Sequence, residues 1–291
     1  MKLGFRKKKI TSADDAENLV KNVPLSVFVG GEENLDALFS ALPAGAEIIP
    51  VSADITSEKD GITVRASGTY PAGKYILFAH SDITGDAAEF FSSLAEHDEE
   101  LVLFKKTAGF ARGEESPDIA EHILRREKKY RLYDFGFALS SELYSRALPF
   151  CGELPEGNIL LPAFLLAKST LFLAYAPFQS FSASETRAAQ QIRRLVNFFA
   201  DIRRQLDPLR YRYLFNIVCE CAICAYASLV KENNKEELRD LDVFLKQENL
   251  ALRVAADERA PLNFIRSLRK RDFSPSLPIR AAAAVTLFNW K

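Results

Sequence analysis

The stretch Gly73-Lys74-Tyr75-Ile76-Leu77-Phe78-Ala79-His80-Ser81-Asp82 constrains this chain most. An apolar run from Tyr75 to Ala79 breaks abruptly into three polar residues. Its aromatic and β-branched content suits a strand buried on both faces. In an open α/β sheet, ligands sit outside the carboxyl ends of strands, so His80, Ser81 and Asp82 would face a ligand crevice. A strand followed by an ordinary turn also fits, because Asp and Ser are common turn residues.

The neighbouring segments set this strand in an alternating pattern. Ser12 and Asp15 give a weak start signal for a short helix to about Val23. Leu25 to Val29 is a compact strand closed by Gly30-Gly31. Between Glu32 and Leu42, apolar residues at Leu35, Leu38, Phe39 and Leu42 share one helix face. Ala46 to Val51 predicts a second strand, so the chain opens β-α-β with a right-handed crossover. Ile62 to Arg65, Leu101 to Phe104, Arg131 to Leu139 and Leu171 to Ala174 have strand character. Helices are predicted over Asp86 to Ala95, Pro117 to about Lys129, Ser140 to Ala147 and Asn158 to Leu166. Alternation of this kind indicates an α/β fold with a mostly parallel sheet flanked by helices.

Composition shifts at about Ser184. Ile192, Leu195, Val196, Phe199, Ile202 and Leu206 form one helical stripe. Further helices are predicted over Leu209 to Val230 and Lys235 to Gln247, with pieces at Leu262 to Lys270 and Ile279 to Trp290. The expected organisation is a basic arm and short helix over 1–23, an α/β domain over 24–183 and an α-helical region over 184–291.

A chain of 291 residues, 48% hydrophobic and 26% charged, can bury a sizeable core. Its net charge of −1 carries no global bias toward nucleic acid or anionic membranes. The basic N-terminal arm is followed by no apolar signal core, and no uninterrupted apolar run reaches about 18 residues. Neither secretion nor a transmembrane helix is therefore expected. Four cysteines form no disulfide framework and fit a reducing compartment. Cytoplasmic localisation is expected, with a peripheral contact to the inner face of a membrane, or a protein partner, left open for the helical region.

Cys219, Cys221 and Cys224 have the spacing of thiolate metal ligands, but they fall inside an apolar helical run, where free cysteine packs as a small hydrophobe. Core packing is the expected reading. Arg193, Arg194, Arg203, Arg204, Arg210 and Arg212 make one side of the first C-terminal helices basic. A solvated face and an anionic partner both fit. No dinucleotide, Walker A, nucleophile-elbow or zincin motif is present.

Taken together, Arg65-x-x-Gly68, Ala72-x-Lys74-Tyr75 around Gly73, and the strand ending His80-Ser81-Asp82 resemble family-2 glycosyltransferases. In that family the segment runs Arg-Asn-x-Gly, Ala-x-Gly-x-Tyr, then a strand ending Asp-x-Asp. Leu154-Pro155-Glu156-Gly157 and Leu165-Leu166-Ala167-Lys168 look like its acceptor half, and the resemblance spans residues 24 to 182. It implies a glycosyltransferase A-type fold and inverting transfer from a nucleotide-diphosphate sugar to a glycan or lipid-linked acceptor, as in polysaccharide biosynthesis. Asp82 and His80 would hold a divalent cation, manganese or magnesium. Asp54, Arg65 and Asp82 would lie near the donor nucleotide, and Glu156 would act as the general base. His80 stands where the family has its first aspartate, and Ser52-Ala53 where it has an aspartate pair. Hence a second implied reading: a glycosyltransferase-fold binding or assembly module without turnover.

Overall fold

The computed structural model describes residues 23–30, 35–51, 57–59, 61–79, 83–105, 118–127, 130–151, 158–178 and 188–247. The helices expected before Val23 and after Gln247 lie outside them, as does the polar loop expected over Lys105 to Ser116, apart from Lys105 itself. The chain divides into two units, Met1–Ala183 and Ser184–Lys291.

The first unit is built on an eight-stranded sheet. Its elements in chain order are β1 (Leu25–Val29), α1 (Leu35–Ala41), β2 (Glu47–Pro50), β3 (Ser57–Lys59), β4 (Ile62–Val64), β5 (Tyr75–Ala79), α2 (Ala87–Glu96), β6 (Leu101–Lys105), α3 (Ile119–Leu124), β7 (Phe135–Ser140), α4 (Ser141–Ala147), α5 (Leu160–Leu166) and β8 (Thr170–Leu173). Across the sheet the order is β3-β4-β2-β1-β5-β7-β6-β8. Strands β4, β2, β1 and β5 run parallel, as does the β6–β8 pair. Strand β7 enters antiparallel between β5 and β6.

Strand alternation distributes the side chains to two faces. On one face Leu25, Val27, Val29, Tyr75, Leu77 and Ala79 meet Leu38 of α1 and Phe90, Phe91 and Leu94 of α2 in one core. Each fully buried phenylalanine there contributes about 1.5–3 kcal/mol. On the other face Phe28 stacks on Phe78 with ring centroids 5.2 Å apart, and Phe78 meets Phe137 at 5.9 Å. Tyr144 of α4 covers Phe28 from outside the sheet, at 6.4 Å.

Two predicted boundaries shift. Residues 132–134 form a 3₁₀ turn rather than strand, and β7 begins at Phe135, opposite Lys105. Helix α3 ends at Leu124 instead of about Lys129. Arg126 turns left-handed (φ 59°), and Arg126 and Glu127 bond back to Ile123 and His122. Pro162 falls within the first turn of α5, where its missing N–H costs no helical bond.

The second unit contains α6 (Ala188–Ile202), α7 (Pro208–Glu232) and α8 (Lys235–Gln247). Asp207 caps α7 by accepting from the Leu209 and Arg210 N–H groups, both at 2.9 Å. Asn233 closes its other end in the left-handed conformation. Residues Pro208–Val230 of α7 have the length and mean hydropathy of a membrane span, although Arg210, Arg212 and Glu220 interrupt the apolar run, and 73% of its apolar window is buried within the protein. The helix packs against both α6 and α8.

Candidate functional site

The segment between β4 and β5 carries the Arg65–Gly73 motif, and each of its residues has a local reason. Gly68 takes φ +76°, a conformation that side chains rarely adopt, inside a turn closed by Thr69 N–H on the Ala66 carbonyl. Gly73 lies against β1, and a Cβ there would fall 2.4 Å from the Ser26 nitrogen. Its N–H donates to Ser26 Oγ at 2.6 Å. Ser26 in turn donates to Glu47 Oε1 at 2.5 Å, which also accepts from the Ala72 N–H at 2.5 Å. Arg65 Nε sits 2.8 Å from Glu47 Oε2, with its N–H not aligned on that oxygen, so the contact is an ion pair.

Glu47 is 1% exposed, at the start of a strand that is otherwise apolar. A buried carboxylate is tolerated only when donors and a counter-charge compensate its lost hydration, and two donors and a guanidinium do so here. The arrangement ties β1, β2 and the loop leading into β5 to one another.

At the opposite edge, β2, β1 and β5 end level, since Val29 pairs with both Pro50 and Ala79. Adjacent strands lie about 4.8 Å apart, so the segments leaving β2 and β5 start about 10 Å from each other. Val51, at the end of β2, donates its N–H to the Val29 carbonyl and accepts Ser67 Oγ at 2.9 Å. Beyond the His80–Asp82 segment the chain is clamped again. Ile83 forms an antiparallel bridge with Phe178, Thr84 N–H donates to Pro177, and Thr84 Oγ1 donates to the Ala176 carbonyl at 2.6 Å. Asn158 Nδ2 donates to the Cys151 carbonyl at 3.4 Å, joining the two ends of the segment that contains Glu156.

Of the residues singled out from sequence, Asp54, His80, Asp82 and Glu156 themselves lie outside the described residues. Arg65 is described: its backbone continues β4, while its Nε is directed to Glu47, the first residue of β2. Among the described residues no group of three or more His, Cys, Asp or Glu side chains forms a metal cluster. Cys219, Cys221 and Cys224 are buried on α7. Burial pushes the Cys221 and Cys224 thiols up to about 12, which keeps them protonated. His97 and His122 sit beside Glu99 and Glu127.

Sequence reasoning passed over Ser26, Glu47 and Tyr70. The available signal was a polar residue interrupting an apolar strand, as Ser26 does in Leu-Ser-Val-Phe-Val. Tyr70 is exposed, its hydroxyl bonded to Ser145 Oγ at 2.5 Å and its ring edge-on to Tyr144 at 6.0 Å.

No family model and no curated protein matches this chain. Solved structures do. A crystal structure of S. aureus TarS 1-349 is similar at 14% identity and a TM-score of 0.53, over 90% of this chain and 92% of that one. The same fragment in complex with UDP is similar at 13% identity and a TM-score of 0.56, with the same coverage. A longer TarS structure matches at 14% identity and a TM-score of 0.54, with 55% of its length covered. The likeness is one of fold. The chain has an α/β, Rossmann-like architecture shared with these TarS structures, a mostly parallel sheet flanked by helices with a helical region after it.

Proposed function

We propose that the chain is a glycosyltransferase-like protein that binds a nucleoside-diphosphate sugar at the level carboxyl ends of β2, β1 and β5, and passes the sugar with inversion to a glycan or lipid-linked acceptor. The observation that carries this reading is the convergence of the Val51 and Ala79 strand ends on one edge, in a fold shared over 90% of the chain with a UDP-bound structure. Asp54 and Asp82 follow those two strand ends and are the residues proposed to meet the nucleotide. Arg65, the third residue expected near the nucleotide, turns its Nε to Glu47 at the opposite edge of the sheet, and its proposed part is to fix the loop entering β5. Glu156 is the proposed base that takes the acceptor's hydroxyl proton.

A divalent cation, when bound, neutralises charge developing on the diphosphate leaving group. Asp82 and His80 are the residues that would hold it. A carboxylate paired with an imidazole suits manganese better than magnesium, which demands oxygen ligands. His80 in place of an aspartate also supports the second reading, a donor-binding or assembly module without turnover.

Calorimetric titration with uridine diphosphate, with and without manganese, tests the donor site. Metal-dependent binding that disappears in Asp82→Ala is the expected result. Absence of binding to this and other nucleoside diphosphates would overturn the donor site under both readings. Binding without transfer from any sugar nucleotide would leave the module reading standing.

A further inference from the structure

The turn between α6 and α7 concentrates positive charge that its one acid, Asp207, offsets only in part. From Arg203 to Arg212 the sequence reads Arg-Arg-Gln-Leu-Asp-Pro-Leu-Arg-Tyr-Arg: four arginines less one aspartate, +3 in a chain whose net charge is −1. Folding brings the two sides of the turn together. Arg203 lies over the Phe199 ring at 5.9 Å, and Phe199 meets Tyr211 at 5.5 Å. Asp207 is committed to capping α7 and to Arg210 Nη1 at 2.7 Å. Arg203, Arg204 and Arg212 are exposed and have no carboxylate partner among the described residues. Some other exposed cations are paired, Arg125 with Glu121 and Lys74 with Asp98.

The placement also runs against helix electrostatics. Beyond its Asp207 cap the first turn of α7 carries no acid, and Arg212, unlike the Asp207-paired Arg210, adds an uncompensated charge near the end where the helix dipole is already positive. Arg212 breaks that rule with no carboxylate partner among the described residues, and features of this kind concentrate where a protein meets its ligands. Between the arginines the tip is mixed: Leu206 and Leu209 are half-buried and Pro208 is exposed, while the carboxylate of Asp207 is taken up by the α7 cap and Arg210. Arginines flanking a partly apolar tip, with a tyrosine beside it, match the layered chemistry of a bilayer surface, with anionic headgroups outside and acyl chains beneath.

We infer that this turn is a docking surface for an anionic lipid bilayer, independent of the donor-site reading. The full chain is to be co-sedimented with vesicles of phosphatidylcholine alone and of phosphatidylcholine with phosphatidylglycerol. Binding is expected only to the second set, and to weaken with salt. Each arginine contributes about fivefold near such a surface. Arg203→Gln/Arg204→Gln/Arg212→Gln is therefore expected to weaken binding on the order of a hundredfold, while Lys235→Gln/Arg239→Gln on α8 leaves it unchanged. All of these side chains are exposed, and an unaltered thermal melt confirms that each variant is folded. Undiminished vesicle binding by the triple variant, or no vesicle binding by the native chain, overturns the inference. So does heparin binding that competes fully with vesicles and ignores Leu206→Ser/Leu209→Ser, because it would mark a soluble polyanion as the partner.

Discussion

Replacing Glu47 by alanine removes the group on which β1, β2 and the loop entering β5 converge. Its carboxylate accepts from Ser26 Oγ and the Ala72 N–H, each at 2.5 Å, and hydrogen bonds to a charged group are worth about 1.5–3 kcal/mol each. Ser26 keeps the Gly73 N–H as a partner, so its loss is the smaller. The Ala72 N–H is left with none of these contacts. The Arg65 side chain is 37% exposed, so its ion pair counts for little beyond these bonds. The sum is about 3–5 kcal/mol, the range found when one partner of a buried pair is removed. For a unit of this size that corresponds to a fall in Tm of about 6–20 °C. Arg65→Ala leaves both hydrogen bonds in place and is expected to cost less, about 1 kcal/mol or below. Urea titrations followed by circular dichroism would measure both. A Glu47→Ala cost under about 1 kcal/mol, or one no larger than that of Arg65→Ala, would refute the reasoning.

Gly73→Ala places a Cβ 2.4–2.5 Å from backbone atoms of Leu25 and Ser26, which cannot swing away, so a loss of about 3 kcal/mol or more is expected. Gly30→Ala meets nothing within 4 Å and should melt close to the native chain; matching melts for the two variants would contradict the close approach. Burial pushes the Glu100 carboxyl up, but the Lys168 N–H and the Arg146 guanidinium outweigh it and leave its pKa below the ordinary value of 4.5. Glu100 therefore contributes stability that is complete above that ordinary value and is lost as pH falls through the lowered one. The stability gap between native chain and Glu100→Gln should narrow as a urea series is taken into acid, and a gap independent of pH would refute this. With Cys221 and Cys224 pushed up to about 12 and all four cysteines buried, the folded chain should resist a thiol reagent near neutral pH and react fully once unfolded. Fast labelling of the folded chain would show thiolate character, and with it reopen the metal reading of the cluster.

Much of the sheet was legible because its strands are compact apolar runs with clear punctuation. Leu25–Val29 lies between Pro24 and Gly30, and Tyr75–Ala79 between Lys74 and His80; both strands have the bounds read from sequence. Strand β3 was not legible, since Ser57-Glu58-Lys59 has no apolar residue and exists by pairing with β4. The reversal of β7 was equally hidden, because side-chain period reports that a strand forms and not which way its neighbour runs. At the candidate site, Arg65, Gly68 and Gly73 stood out as a motif. Their partners Ser26 and Glu47 lie 39 and 18 residues from Arg65 in the sequence, and only the β1–β2 register, Ser26 opposite Glu47, brings them to one point.

Strand β7 also sets an order of events for the nascent chain. It pairs with both β5 and β6, and no other strand joins those two. Until residue 140 has emerged, β5 ends the growing parallel sheet as an open edge. The all-apolar start of β6, Leu101 to Phe104, has neither of its neighbours, since β8 follows later still. Unpaired apolar edges of this kind recruit other chains. A chain halted on the ribosome before Phe135 would thus display two mutually complementary edges separated by the width of a missing strand, and those edges are what a holding chaperone would be required to cover.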